Sequence, residues 1–299
     1  MKNSIIMLVL FLAMAFTGCS DKDQANKPSL PTMGNLIIGI DESLRPVTDP
    51  ELSTFSVFYP NAHITPLYLP EKEVMEKLLA NEIQTGIICR NLYDEEAEAI
   101  KTNYQHVLQT FKLADDEIVA AVSSSNPVNS ISYGDVEKIL SGEIIDWRQI
   151  DSAFNAEVPV VVVMTASSSV NRYFYTLNGS SAPIRSYSLG TTDEVIDYVK
   201  NNVAAIGILG GSWFYQKGNK YPDLKVLPLR KESPSADGST EALYREVYGI
   251  THEPFTGLGT GFISFLAGQK GQLILEKAGM TPYKPISREI ELTDHFIQY

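Results

Sequence analysis

From Leu36 onward, short apolar runs alternate with amphipathic stretches, and this alternation narrows the possible folds more than any other feature of the chain. LIIGI (36–40), HITPLYL (63–69), TGIIC (85–89), HVLQTF (106–111) and EIVAAV (117–122) read as strands. So do VPVVVVM (158–164), AAIGIL (204–209), LKVLPL (224–229) and residues 246–251. Between them lie helical patterns. Asp49 is placed to cap a helix with Pro50 at its first position. Residues 70–81 turn Val74, Met75, Leu78 and Leu79 inward, and Asp94, Glu95 and Glu96 load the first turn of another helix with acid. Ser132 and Asp135 form a capping-box pattern, and further helices are expected over 168–177 and 191–201. A long one is expected from Thr260 to Ala278, ended by Gly279. An unbroken apolar run such as 158–164 is typical of a parallel strand covered on both faces, so the expected class is α/β with mostly parallel sheets.

The first residues carry a different signal. Lys2 precedes an apolar run from Ile5 to Phe16, and small residues lead into Cys19. This is the pattern of a secretory signal over residues 1–18, too short to span a bilayer core of about 20 apolar residues. Thr17-Gly18-Cys19 resembles a bacterial lipobox, which implies lipidation at Cys19 and a chain anchored to a membrane outside the cytoplasm. Residues 19–35, polar and proline-containing, read as a flexible tether. The Ser20-Asp21-Lys22-Asp23 run leaves periplasmic face and cell surface both open.

Composition excludes several classes. A net charge of −12 argues against nucleic acid or anionic lipid as partners, so the membrane contact expected is the lipid alone. Cys89 is the single cysteine beyond Cys19, so no internal disulfide is available, and after the apolar Ile87-Ile88 it is expected to be buried. The four histidines are scattered, and His252-Glu253 lacks the second histidine of a zinc helix. Without a nucleophile elbow, a paired-cysteine motif or a phosphate-binding Walker loop, neither an enzyme nor a metal or cofactor site is expected. The Gly257–Gly261 run is read as letting the last helix start close to its neighbours.

Several segments together resemble the PstS-like phosphate-binding branch of the solute-binding proteins of ABC transporters. ISYGDVEKILSGEIIDWRQI (131–150) resembles that family's helix, Ser-Gly turn and buried tryptophan. CRNLYDEEAEAI (89–100) resembles its strand-end arginine and acidic helix start, and SSVNRYF (168–174) sits at its Ser-Gly-Thr helix opening. AAIGIL (204–209), ALYREVYGI (242–250) and FISFLAGQKGQLILEKAGMTP (262–282) match its later strands and C-terminal helix. The resemblance implies two α/β lobes, each a mostly parallel sheet flanked by helices, joined by two crossover segments. Lobe one would be 36–122 with 232–299, and lobe two 123–231. It also implies a monomer that captures phosphate or a similar small oxyanion between the lobes and presents it to permease subunits. The alternative on the same fold is a cell-envelope interaction or sensing protein with an altered cleft.

Ligands of such folds bind at strand carboxyl ends, where helix N-termini offer unpaired N–H groups. Three loops are therefore candidates. Asp41, Glu42 and Ser43 follow the first strand; Glu42 could instead turn outward or pair with Arg45. Arg90 and Asn91 end the TGIIC strand, Arg90 offering a planar fork to an oxyanion or a salt bridge to Glu95 or Glu96. Ser167, Ser168 and Ser169 open a helix, as anion ligands or as a simple cap. Arg172, on the same helix, is expected on a solvated face. The family's glycine- and serine-rich opening of the second helix is here Leu69-Pro70-Glu71-Lys72, a departure that bears on the ligand.

Overall fold

A computed structural model describes residues 30–104, 108–154, 157–177, 185–215, 220–232, 239–253 and 255–284. The expected signal, Cys19 and His106-Val107 lie outside them.

In chain order the strands are β1 (Gly34–Asp41), β2 (Ala62–Leu69), β3 (Thr85–Ile88), β4 (Gln109–Ser123), β5 (Val161–Thr165) and β6 (Tyr187–Leu189). They continue with β7 (Ala205–Gly210), β8 (Leu224–Pro228), β9 (Arg230–Glu232), β10 (Thr240–Ala242), β11 (Tyr244–Thr251) and β12 (Thr281–Pro282). The helices are α1 (Arg45–Phe58), α2 (Glu71–Leu79), α3 (Asp94–Tyr104), α4 (Tyr133–Ser141), α5 (Ser169–Leu177), α6 (Thr192–Asn201), α7 (Leu258–Leu266) and α8 (Gln269–Lys277).

The strands run in the order β2-β1-β3-β11-β4-β7-β5-β6. β1 pairs in parallel with β2 and β3, and β5 in parallel with β6 and β7, as the apolar runs led one to expect. The antiparallel pairs gather at the middle. There β11 joins β3 to β4, and β4 goes on to pair with β7 and β8. Residues 109–117 of β4 belong with β11, and residues 118–123 with β7 and β8. One strand thus serves two sheets. Helices cover both, and each sheet has its own apolar packing: Ile38, Ile40, Phe55, Phe262 and Leu266 around the first, Ile118, Trp147, Val162 and Phe174 around the second. Trp147 is fully buried, stacked on Phe154, and donates its indole N–H to the Ala204 carbonyl at 2.9 Å.

Three sequence expectations change. The first helix begins at Arg45, with Pro46 in its opening turn and Pro50 inside it, where the ring removes one helical hydrogen bond. Of the two strands expected over 106–111 and 117–122, the described residues 109–111 and 117–122 belong to a single one. Leu113, Ala114 and Asp116 are each 0% exposed, so pairing runs through the charged KLADDE segment as one strand of 15 residues. The C-terminal helix is two helices. Extended Gly268 opens the second of them, and the Gln272 amide donates to the freed Leu266 carbonyl at 2.9 Å.

The capping box at Ser132 and Asp135 is present, and Thr191 caps α6 by accepting from Glu194 N–H. At Gly261 a Cβ would come within 1.8 Å of the Pro31 carbonyl oxygen, so the glycine run does allow a close approach. Among the described residues no helix is long and apolar enough to cross a membrane.

Candidate functional site

Around the start of β11 the chain alternates in and out: Leu243 just before it and Arg245 and Val247 within it are buried, while Tyr244 is half-exposed. Arg245 therefore occupies a position that period-2 packing turns inward. Its direct cross-strand partner is Asp116 on β4. The guanidinium donates from Nε (3.0 Å) and Nη2 (2.7 Å) to Asp116 Oδ2, with the two side chains 1% and 0% exposed. Ser212 fixes the carboxylate from behind, through its N–H to Oδ1 (3.0 Å) and its hydroxyl to Oδ2 (3.2 Å). From Nη1 the same arginine donates to Ser43 Oγ at 2.7 Å and Ser169 Oγ at 2.6 Å. One cation thus gathers a hydroxyl from the loop after β1 and one from the start of α5.

Ser43 in turn donates from its N–H (3.0 Å) and hydroxyl (2.8 Å) to Asp41 Oδ1. The other oxygen, Asp41 Oδ2, is buried without a hydrogen-bond partner among the described residues. Burial works against the Arg245 charge. Cys89, Asp116 and Asp41 more than offset it and hold the guanidinium above its ordinary value. Gly210 leaves room for this pair, because a Cβ there would lie 2.1 Å from Arg245 Nη2 and 2.4 Å from Asp116 Oδ2.

A second charged group sits on the wall of an adjoining cleft of about 310 Å³. Glu71, the first residue of α2, is 3% exposed. It accepts from Arg172 Nε at 2.5 Å and from Cys89 N–H at 3.1 Å, while Arg172 Nη2 donates to the Cys89 carbonyl at 3.1 Å. Arg172 is thus tied across the cleft and does not lie on a solvated face. Arg90 makes a two-pronged bond to Glu96, 2.7 Å on each side, and packs over the Tyr93 ring. Burial opposes the Glu96 charge, but Arg90 and the Tyr93 N–H outweigh it and lower its pKa.

Glu42 neither turns outward nor pairs with Arg45. It accepts from the Thr192 N–H and hydroxyl, both at 2.8 Å, at the start of α6. Burial raises its pKa, and the two bonds from Thr192 act the other way. Trp213 Nε1 donates to the Ser43 carbonyl at 2.8 Å.

The sequence candidates therefore divide. Asp41, Ser43 and Ser169 assemble around Arg245. Arg90, Ser167 and Ser168 line the adjoining cleft, and Ser168 Oγ also accepts from Asn171 N–H as a helix cap. Glu42 goes to Thr192, and Asn91 is exposed. Cys89 is buried, as expected, and burial pushes its thiol well above the usual value. Sequence reasoning missed Arg245, Asp116, Glu71, Thr192 and Ser212. The available signal was Arg245 falling in register with buried Leu243 and Val247.

Ligand atoms of Asp41, Glu71 and Cys89 lie within 4.8 Å of one another, a spacing that a metal could use. However, Glu71 is already bonded to Arg172 and Cys89 N–H, and burial disfavours the thiolate that a metal would need.

A family model described as a PBP superfamily domain matches residues 25–270. Among curated proteins, the phosphate-binding protein PstS of Staphylococcus haemolyticus is 24% identical over 169 residues, 56% of this chain and 53% of that protein. PstS of Staphylococcus aureus is 23% identical over 237 residues, covering 74% of this chain and 71% of that protein. Among solved structures, a Clostridium perfringens protein assigned as a phosphate ABC transporter substrate-binding protein, with phosphate bound, superposes at a TM-score of 0.69. The two are 21% identical, and the match covers 84% of this chain and all of that one. An ABC-type phosphate transport receptor from Vibrio cholerae gives a TM-score of 0.59 at 18% identity, covering 83% of this chain and all of that one.

Proposed function

The chain belongs to the PBP superfamily, and we propose that it is an extracytoplasmic solute-binding protein that captures phosphate or a similar tetrahedral oxyanion for an ABC permease. The observation that carries this reading is the buried Arg245, bonded to Ser43 and Ser169 from two sides beside the free Asp41 Oδ2. An oxyanion would replace the serine–arginine contacts. It would take a charge-assisted bond from the guanidinium, hydroxyl bonds from Ser43 and Ser169, and amide N–H groups from the first turn of α5. Asp41 Oδ2 needs a donor, and a protonated phosphate has one to offer. Closure would exclude water and strengthen each of these contacts. The names of the similar proteins support phosphate as the first ligand to test.

Two further parts of the reading rest on sequence. The lobes are placed at 36–122 with 232–299 and at 123–231; the change of partners along β4 supports a division in that strand, between residues 117 and 118, five residues before the boundary drawn. Lipidation at Cys19 would hold the protein to its membrane, supported by the lipobox pattern. The alternative of an envelope protein with a vestigial cleft is less well supported, since charged and hydroxyl groups remain assembled around Arg245.

Titration calorimetry of phosphate into purified protein stripped of phosphate tests the function. A saturable one-to-one isotherm is expected, weakened at least tenfold by joint Ser168→Ala and Ser169→Ala substitution. Absence of heat at millimolar phosphate would discard the oxyanion.

A further inference from the structure

Three arginines meet at or beside the cleft, and each already holds a carboxylate: Arg245 with Asp116, Arg90 with Glu96, and Arg172 with Glu71. Asp116 lies behind Arg245, held there by Ser212, and Glu96, also on the cleft wall, occupies both Nη groups of Arg90. Glu71 differs because it is 3% exposed and stands between two arginines, Arg172 and Arg90, with an oxygen within 4.8 Å of one from Asp41. Pro70 precedes it with extended backbone (φ −54°, ψ 143°), so the chain delivers Glu71 as the first residue of α2 and aims it into the cleft.

Its partners are those of a bound anion. Arg172 Nε gives one oxygen a bond of 2.5 Å, Arg172 Nη2 reaches the other at 3.4 Å, and Cys89 N–H also donates to that second oxygen at 3.1 Å. One donor is left over. Arg90 Nε is buried without a hydrogen-bond partner among the described residues and stands 3.7 Å from Glu71 Oε1, too far to bond. A two-oxygen carboxylate cannot satisfy both guanidinium groups from this position, whereas a four-oxygen tetrahedral anion has acceptors to spare. Such an anion needs the space of about two waters, roughly 60 Å³. The adjoining cleft, at about 310 Å³, gives it a way in.

We infer that Arg172, Arg90 and the Cys89 N–H form an oxyanion cradle whose resident occupant is the chain's own Glu71, which competes with incoming oxyanion for those donors. The cradle takes small oxyanions, carboxylate or tetrahedral. Glu71 lowers the affinity of the cleft by the free energy needed to displace it. The competition for captured ligand rests on the solute-binding reading; the cradle itself does not.

The two parts are tested separately in the full mature protein. In Glu71→Ala the cradle loses its carboxylate. Formate, acetate or phosphate at millimolar concentration should then raise the melting temperature saturably, while chloride at equal ionic strength should not. The double variant Glu71→Ala/Arg172→Ala should lose that response. A folded Glu71→Ala that no oxyanion stabilises beyond chloride would overturn the cradle. Glu71→Gln keeps an oxygen for the Cys89 N–H and removes the competing charge, so phosphate should bind it at least tenfold more tightly than wild type. Affinity equal to wild type, or weaker, would overturn the competition and make Glu71 a structural or ligand-accepting group. If Glu71→Ala does not fold, the thermal shift that phosphate gives Glu71→Gln decides instead: larger than wild type supports the inference, equal or smaller refutes it. A wild type that ignores phosphate would sink the proposed function, while oxyanion rescue of Glu71→Ala would still report on the cradle.

Discussion

Replacing Asp116 by asparagine should separate what the buried ion pair does for stability from what it does for binding. The pair is 1% and 0% exposed, and the Asp116 carboxylate accepts from Arg245 Nε and Nη2 and from Ser212 N–H and Oγ. An asparagine would leave the guanidinium charge without its counter-charge and turn an amide donor toward groups that are themselves donors. Breaking one side of such a pair costs about 3–5 kcal/mol. For a domain of this size each kcal/mol lowers the melting temperature by about 2–4 °C, so a fall of roughly 6–20 °C is expected. The joint variant Arg245→Met/Asp116→Leu removes both charges and refills the space with apolar side chains of similar volume. It should melt close to wild type or above it, by up to about 4 kcal/mol of stability. Phosphate binding should vanish in the joint variant, which has lost the guanidinium, whereas Asp116→Asn keeps the cation and should still bind. Scanning calorimetry at neutral pH, followed by phosphate titration, reads both quantities. The reasoning is refuted if Asp116→Asn melts within 2 °C of wild type, on the order of the shift from 1 kcal/mol. It is equally refuted if the joint variant is as unstable as the single one, or if the joint variant still binds phosphate with native affinity.

Burial pushes the Glu51 carboxyl up from 4.5 to about 9. Its proton is held in the folded chain and released on unfolding above the ordinary value. Stability from this group is therefore complete below pH 4.5 and declines as pH rises toward about 9, by up to about 1.4 kcal/mol per unit. Glu51→Gln should flatten the melting profile between pH 5 and pH 9 relative to wild type; parallel profiles would contradict this. Gly210→Ala drives a methyl into Arg245 and Asp116, and should lose phosphate binding together with about 1–3 kcal/mol of stability; an unchanged isotherm would show that the site can give way. Cys89 should resist Ellman's reagent at pH 8 in the native protein and react at once in denaturant, and rapid native labelling would contradict its burial.

Much of the fold was legible because its signals are local. The capping box at Ser132, the Thr191 cap and the apolar run into β5 each depend on neighbours a few residues away, and each appears where the sequence placed it. β4 was misread because a charged stretch looks like a break, whereas Asp116 is buried only because Arg245 arrives from 129 residues away. The split last helix turns on Gly268, which one-dimensional periodicity passes over. The site follows the same division. Serines at a helix start and a carboxylate at a strand end could be picked out one at a time. Arg245 and Glu71 acquire their meaning from long-range partners: Ser169 is 76 residues from Arg245, and Arg172 is 101 from Glu71. Arg90 shows the limit from the other side, since the residue type suited an anion but a glutamate six residues on took the fork.

β4 spans about 50 Å at the usual rise per residue, and β11 lies along it, with a shift in register between Val247 and Tyr248. Where the two sheets meet, the chain thus has a paired ribbon instead of a slack joint. Any closure of the kind proposed would have to twist that ribbon, spreading the deformation over many backbone hydrogen bonds as a torsion spring does. Arg245 and Asp116 face each other as a rung of the same ribbon. Under the proposed function, an anion bound at Arg245 would therefore act on a residue of the ribbon itself, so capture and any twist of the ribbon would be coupled through one backbone position.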